Sequence, residues 1–279
     1  MKKFLCYFLI LLFLNNLAYA SHLKRSSLVV DLNSGKVLHA VNEHSARYPA
    51  SLVKMMTLYI TFKKLSSGTL TLDQKLLVSK KAAAMPRTNM NLKAGTTISV
   101  RKAILGLIVH SSNDASVVLA EAIGGSEKNF VIMMNNQAKK LGMKKTIFYN
   151  ASGWHNKYQK STAYDLAKLA IALKKDFPKY FPWFSVTKFT FNNVTYHSHN
   201  HVVKNYAWAN GLKTGFTNPS GFNVATTASK NGKHLVGVVM GEKTASARDK
   251  LMIKLLDNCF NKSQERTVIR TASLIQKQY

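Results

Sequence analysis

The chain has 279 residues, enough for one large domain or two small ones. Its formal charge of +28 at pH 7 would attract it to anionic polymers or membrane surfaces. The lysines are scattered along the chain, so a generally lysine-rich, solvated surface is the favoured interpretation. Beyond the first twenty residues, no apolar run is long enough to predict a membrane span.

The first twenty residues predict export from the cytoplasm. A basic start, Met1-Lys2-Lys3, precedes an apolar run from Phe4 to Leu14 and the small-residue pattern Ala18-Tyr19-Ala20, as in a cleaved signal peptide. A retained transmembrane anchor is the alternative, although the apolar run is short for a span. Cleavage after Ala20 removes two lysines and leaves a charge of +26 (28 − 2). We therefore expect a periplasmic or cell-envelope protein without a nucleic acid partner.

Hydrophobic periodicity and turn residues predict the elements of the first half. In chain order these are the hairpin strands Ser27–Leu32 and Lys36–Ala40, a helix from about Ala50 to Leu65, a loop-rich region Thr69–Thr97 with extended pieces around Leu76 and Asn91, a helical region Ile98–Gly124 with a polar break at His110–Asp114, and a helix Ser126–Leu141.

The second half returns to strands. The predicted elements are a helix capped by Ser161 or Thr162 and ending near Lys175, β structure over Phe184–Val194, three strands Gly211–Gly215, Phe222–Ser229 and His234–Gly241, and a last helix Ala245–Cys259. Strands at both ends with helices between them predict one α+β domain with an antiparallel sheet.

A nucleophile and a base are spaced for chemistry in Ser51-Leu-Val-Lys54. Residues three apart lie on one face of a helix, so the hydroxyl of Ser51 and the amine of Lys54 would be neighbours. The pair works only if Lys54 is neutral, and its apolar neighbours Leu52, Val53 and Met55 favour a lowered pKa. A helix cap followed by a solvated lysine is the alternative.

Two further stretches carry polar groups at breaks in the predicted elements. In the first, Ser111 could relay a proton and Asn113 could bind a substrate amide, although ordinary helix capping also uses such residues. In the second, Lys213-Thr214-Gly215 ends a strand, where a glycine lets another backbone approach closely.

In this order and spacing, the three motifs resemble those of penicillin-binding proteins and active-site serine β-lactamases. The residues that flank these motifs are most similar to those of the D-alanyl-D-alanine carboxypeptidases of the low-molecular-mass penicillin-binding type. The matching segments are Pro49–Thr57, Leu107–Ala115, Ser161–Ala167 and Asn210–Thr217 with Gly221. The resemblance covers roughly residues 26–260. It implies the transpeptidase fold of those families, an antiparallel five-stranded sheet flanked by helices with a helical subregion.

The resemblance also implies roles for individual residues. Ser51 would attack the carbonyl between two D-alanines with Lys54 as its base, and Ser111 would pass protons to the leaving group. Backbone N–H groups of Ser51 and Phe216 would bind the oxyanion. The implied substrate-binding residues are Asn113, Lys213, Thr214, Gly215, Phe216, Thr217 and Arg248. Lys213 and Arg248 would face the terminal carboxylate, and Lys213 would also help to keep Lys54 neutral.

The partners implied by the resemblance are peptidoglycan stem peptides that end in D-Ala-D-Ala, with β-lactams as covalent inhibitors and no cofactor. The chain departs from its relatives at Ser112, where many have glycine or aspartate, and at Phe216, where many have histidine. We expect residues 1–20 to be the signal peptide, 21–262 the catalytic domain and 263–279 a short tail without a second β-rich domain.

Other interpretations remain open from the sequence. Endopeptidase or β-lactamase activity at Ser51 is an alternative, although no Glu-x-x-x-Asn stretch of the class A type follows Ser111. A nonenzymatic binder of an anionic wall or lipid surface is another, and peripheral membrane contact through the basic surface fits either reading. His197, His199 and His201 would lie on one face if extended, as in a metal site, but a structural role is preferred.

Overall fold

The computed structural model describes the backbone of residues 25–275 and the side chains of residues 25–261. The predicted signal peptide, residues 1–20, lies outside the described residues. No helix in the described part of the chain is both long and apolar enough to cross a bilayer.

One antiparallel sheet of five strands forms the centre of the molecule, in the spatial order β2-β1-β9-β8-β7. Its strands are β1 (Ser26–Asp31), β2 (Val37–Val41), β7 (Ala209–Thr217), β8 (Gly221–Lys230) and β9 (Lys233–Glu242). The predicted α+β architecture is confirmed. Strands from the first and last parts of the described chain pair, since β1 pairs with β9. β7 is an edge strand of the sheet.

Helices cover both faces of this sheet, which explains why the middle of β8 and of β9 is buried on both sides. A large core lies under α1 (Lys54–Ser66), which carries the most buried side chains, including Met55, Leu58 and Phe62. A smaller core lies on the opposite face, between the sheet and α8 (Ala245–Ile275). The turn that carries Ser51 therefore lies at the edge of the main core.

The middle of the chain forms the helical subregion. Its helices are α2 (Lys80–Ala83), α3 (Val100–Leu105), α4 (Asn113–Gly124), α5 (Glu127–Lys140) and α6 (Ala163–Asp176), and two short strands pair within it, β3 (Lys75–Leu77) and β4 (Thr97–Ser99). The N-terminal boundaries of α5 and α6 have a clear local cause. The hydroxyls of Ser126 and Thr162 accept hydrogen bonds from backbone N–H groups of the first turn.

Three predicted elements differ from the structure. The extended piece expected near Asn91 lies instead at β4, because the backbone at Met90 and Leu92 bonds to the carboxylate of Asp114 rather than to a strand. The β structure expected over Phe184–Val194 is a 3-10 turn, Phe181–Ser185, followed by a hairpin. Phe181 and Phe184 of this turn are buried, and Phe184 packs on Phe62, so the apolar pattern alone does not distinguish the turn from a strand.

That hairpin consists of β5 (Lys188–Phe191) and β6 (Val194–His197), and the short helix α7 (His201–Asn205) leads from it to β7. The last helix is longer than its pattern indicated, since α8 continues to Ile275 through most of the predicted tail.

Candidate active site

Ser51 and Lys54 lie at the junction of a 3-10 turn, Ala50–Val53, and the first residue of α1. The Nζ atom of Lys54 is 3.1 Å from the Oγ atom of Ser51 and 2.8 Å from Oδ1 of Asn113, and it also hydrogen-bonds the carbonyl oxygen of Ser152. The amide oxygen and the backbone carbonyl can only accept. A neutral amine has two N–H bonds, so both are used by these acceptors. Its lone pair is then left for the hydroxyl of Ser51.

The surroundings of Lys54 favour this neutral form. The side chain is completely buried, and this burial lowers the pKa of Lys54 well below its usual range. The positive charge of Lys213 lowers that pKa further, whereas the carboxylate of Asp114 opposes the change. The lysine next to Ser51 therefore gives up its proton more readily than a solvated lysine does.

Lys213 is a second buried lysine, and its charge acts on Lys54. Burial and the nearby charge of Arg248 lower the pKa of Lys213 to about 7. Its Nζ atom donates to the carbonyl oxygen of Thr214 at 2.9 Å. The two lysines therefore differ in how readily they hold a proton.

The predicted polar break is present as a π-helical turn, Gly106–His110, followed by Ser111 in the left-handed region at φ 62°. The next helix begins at Asn113, whose backbone N–H donates to Thr88 at 2.7 Å and whose Nδ2 donates to the carbonyl of Pro86 at 2.9 Å. The loop before Asn89 thus fixes the amide that binds Lys54. Both ends of the Asn113 amide have a partner within the protein, and one N–H group of Nδ2 has no bond within the described residues.

Gly215 allows β7 to pass close to the nucleophile. A Cβ atom at this position would lie 2.9 Å from the backbone nitrogen of Ser51 and 3.2 Å from the carbonyl oxygen of Pro49. The closely approaching backbone is therefore the turn that carries Ser51. Next along the strand, Phe216 is 48% exposed and stacks on Phe222 with ring centroids 4.2 Å apart.

These elements enclose a cleft of about 420 Å³. Among the residues that line it, those predicted from sequence are Ser51, Ser111, Asn113, Thr214, Gly215, Phe216, Thr217 and Arg248. Lys54 and Lys213 are buried behind its wall. Segments far apart in the chain thus contribute to one cleft.

Arg248 occupies this cleft with an acidic partner. Its Nε and Nη2 atoms bond the two carboxylate oxygens of Asp249 at 2.9 and 3.1 Å, and both residues are buried. A bidentate pair of this kind holds the guanidinium plane in place. Part of the positive charge of Arg248 is balanced before any substrate enters.

The stretch from His197 to His201 is not extended. β6 ends at His197, and the side chain of Asn200 caps α7 by accepting from Val203. His199 and His201 line the cleft with Ser51, whereas His197 does not. The one-face arrangement that a metal site would need is therefore not present, because the start of α7 turns the chain. No group of three or more potential ligands (His, Cys, Asp or Glu) that could hold a metal ion is found within the described residues.

Two positioning residues were not identified from the sequence. Gly153 has φ +81°, and a Cβ atom there would overlap the carbonyl group of Ala50. Asn223, near the start of β8, donates to the carbonyl oxygens of Tyr48 and Pro49 at 3.0 and 3.2 Å. An asparagine in an apolar strand was the available signal for the second, because a buried polar side chain must find partners.

The chain has clear relatives among known proteins. The family described as D-alanyl-D-alanine carboxypeptidase matches residues 16–244. D-alanyl-D-alanine carboxypeptidase DacD from Escherichia coli (strain K12) is 38% identical over 83% of this chain, which spans 61% of that relative's length. The chain is thus shorter than the curated relatives that it matches.

Solved structures agree in fold. Penicillin binding protein 5 from Haemophilus influenzae is similar with a TM-score of 0.80 and 34% identity, covering 83% of this chain and 69% of its own. Penicillin-Binding Protein D2 from Listeria monocytogenes, in its ampicillin-bound form, has a TM-score of 0.73 and 31% identity, covering 84% and 96%. The transpeptidase fold expected from the sequence is confirmed.

Proposed function

The chain belongs to the D-alanyl-D-alanine carboxypeptidase family, and we propose that it removes the terminal D-alanine from peptidoglycan stem peptides through an acyl-enzyme on Ser51. The observation that carries this is the buried amine of Lys54, which lies 3.1 Å from the hydroxyl oxygen of Ser51 and has two further acceptors on Asn113 and Ser152. A lysine in this state accepts the proton that makes the hydroxyl a nucleophile.

In the acylation step, the Oγ atom of Ser51 bonds to the carbonyl carbon between the two D-alanines while its proton passes to Lys54. Backbone N–H groups of Ser51 and Phe216 stabilise the resulting oxyanion. The C–N bond then breaks, and the leaving amine takes the proton from Lys54 through the hydroxyl of Ser111. Water hydrolyses the ester, restores the hydroxyl of Ser51 and releases the shortened peptide.

Substrate recognition uses the free edge of the sheet. A peptide that adds to β7 beside Thr214 and Thr217 gains backbone hydrogen bonds, as extended peptides do at exposed strands. Lys213 and Arg248 attract its terminal carboxylate at one end of the cleft. This places the scissile carbonyl near Ser51, which faces the same strand. Asn113, also predicted to bind the substrate, lines the cleft, and its Oδ1 atom accepts a hydrogen bond from Lys54.

A labelled penicillin and the tripeptide diacetyl-Lys-D-Ala-D-Ala test the proposal. The wild-type protein should become covalently labelled and release D-alanine, and Ser51→Ala should lose both, because the acyl-enzyme forms only on that hydroxyl. Ser66→Ala, an exposed serine at the end of α1, is the matched control and should behave as wild type.

Other outcomes would contradict the assignment. Rapid penicillin turnover without D-alanine release would indicate a β-lactamase, and cleavage of cross-linked dimers but not of the tripeptide would indicate an endopeptidase. No labelling would leave the nonenzymatic binder. The ampicillin-bound structure of a relative supports the binding of β-lactams by this chain.

The site of action in this proposal is the periplasm, at the surface of the membrane. Export is supported by the signal-like composition of residues 1–20. Membrane contact is supported by a lysine face, formed where three helices end. Its members are Lys63 and Lys64 of α1, Lys139 and Lys140 of α5, and Lys174 and Lys175 of α6.

Contacts between the helices bring these lysines together. Lys63 donates to Gln137 near the end of α5 at 3.2 Å, and Tyr59 donates to Asp176 at the end of α6 at 2.6 Å. Lys54, at the other end of α1, lies about 14 Å away at a rise of about 1.5 Å per residue. A membrane bound at the lysine face would therefore leave the cleft open to peptidoglycan.

Binding to vesicles measures this contact. Reversing Lys63, Lys139 and Lys175 to glutamate should weaken sedimentation with phosphatidylglycerol vesicles by about tenfold or more, since each lysine near an anionic surface is worth about 1 kcal/mol. Reversing the exposed Lys36, Lys75 and Lys188 makes the same charge change elsewhere. Equal losses in the two triple variants would show that net charge, and not this face, determines binding.

A further inference from the structure

We propose that a second cavity, next to the cleft beyond Phe216, binds a carboxylate carried by the acyl arm of the substrate peptide. The inference rests on the proposed function, since it assigns the side chain chemistry that the same active site prefers. The cavity has a volume of about 620 Å³ and is formed by the entry to the nucleophile turn, the turn after β7 and the end of β9.

The two cavities are neighbours along one strand. Phe216 lines both of them, and the turn Asn218–Ser220 that follows β7 lines the second. β7 is an edge strand, so a peptide that pairs with its free side lies alongside it. A peptide whose terminal carboxylate lies near Lys213 extends past Thr217 and reaches this turn. At about 3.3 Å per extended residue, the second cavity faces one or two residues before the D-alanine pair.

The walls of the second cavity are cationic. Arg47, Lys160 and Lys243 line it, and Glu242 is the acidic residue among its lining side chains. Glu242 is buried and forms an ion pair with Arg25, which is not among the lining residues, at 3.4 Å between Oε1 and Nε, so three cations face one paired carboxylate. The remaining positive charge favours an anionic ligand group.

Lys160 is held in place by an aromatic ring. Its Nζ atom lies 3.0 Å from the centroid of Tyr48, three residues before Ser51. A ring face orients an ammonium group without neutralising it. None of the ion pairs within residues 25–261 involves Lys160 or Lys243. These two charges therefore remain for a ligand that also occupies the cleft.

Two tripeptides that differ in one group test the inference. Both end in D-Ala-D-Ala, and their first residue has a four-methylene side chain that ends in a carboxylate in one peptide and in a carboxamide in the other. Wild-type kcat/KM should be about tenfold higher for the carboxylate, the size of effect expected from one additional close charge contact. The preference should shrink as salt is added, because the site is open to solvent.

Replacing Lys160 and Lys243 together by methionine should abolish this preference while kcat/KM for the carboxamide stays within about twofold of wild type. The matched control replaces Lys36 and Lys75, which are exposed and distant in sequence from the cavity, and should keep the preference. Equal wild-type values for both peptides, or a preference that survives in the Lys160 and Lys243 variant, would overturn the inference.

Failure of the proposed function gives a different result. In that case neither peptide would be hydrolysed and penicillin would not label the protein. Equilibrium titration of both peptides into Ser51→Ala then decides on the cavity by itself. Tighter binding of the carboxylate peptide, lost on replacing Lys160 and Lys243, would support the second cavity, and equal binding would overturn it.

Discussion

Replacing Lys54 with methionine should lower the rate of penicillin acylation by about 10³-fold, within the range that a positioned general base contributes. Methionine keeps a long, flexible apolar side chain in a fully buried place but has no lone pair basic enough to take the proton of Ser51. The rate of covalent labelling in a single turnover measures this step directly.

Lys63→Met is the matched control, because it makes the same substitution at an exposed position of the same helix. Its acylation rate should equal that of wild type. The pH dependence separates a base from a packing residue. Since the pKa of Lys54 is lowered, its proton is lost as pH rises through that value, and wild-type acylation should rise with it. An unchanged rising limb in Lys54→Met would contradict the assignment.

Gly153→Ala should reduce acylation by about 100-fold or more and lower the free energy of unfolding by about 1–3 kcal/mol, as overpacking of rigid surroundings does. The added Cβ atom would overlap the carbonyl group of Ala50 and lie 2.9 Å from the nitrogen of Ser51. These are backbone atoms and cannot rotate away. The nucleophile turn must therefore shift, and with it the proposed oxyanion N–H.

Gly95→Ala is a control of the same backbone geometry. Gly95 also has φ +81°, but a Cβ atom there has no heavy atom within 4 Å, so the variant has the backbone strain without the clash. It should cost about 1 kcal/mol of stability and leave acylation unchanged. Labelling rates and thermal unfolding of both variants measure the difference, and similar acylation in the two would show that the turn tolerates displacement.

Burial lowers the pKa of both Lys54 and Lys213, but the two lysines have different proposed roles. The proposed acylation step requires a neutral Lys54, whereas the proposed attraction of a substrate carboxylate requires a charged Lys213. Burial acts on both, but Lys213 retains a pKa of about 7 while the pKa of Lys54 is lowered well below its usual range, partly by the charge on Lys213 itself. An incoming carboxylate would favour the charged form of Lys213 and so help to keep Lys54 neutral.

Several elements could be predicted from local pattern. The hairpin of β1 and β2, the helix with Ser51 and Lys54 at its start, and the strand that ends near Gly215 all follow from periodicity and turn residues. The segment Phe181–Ser185 could not be predicted, because Phe184 packs on Phe62 of a distant helix. The strand β4 lies further along the chain than predicted for a similar reason, because the backbone of the preceding loop is hydrogen-bonded to Asp114.

The sequence by itself determined the chemical groups of the site and the order of the motifs that carry them, because side chain chemistry and helical spacing are local properties. Only the tertiary structure decided which of these groups lie within hydrogen-bond distance of one another. The lowered pKa of Lys54 depends on complete burial and on the charge of Lys213, and its hydrogen-bond partners Asn113 and Ser152 are distant in the chain. The closeness of Gly153 and Gly215 to the turn of Ser51 likewise arises only when three separate segments pack together. Hydrogen-bond geometry and desolvation act between such segments, so no local pattern contains them.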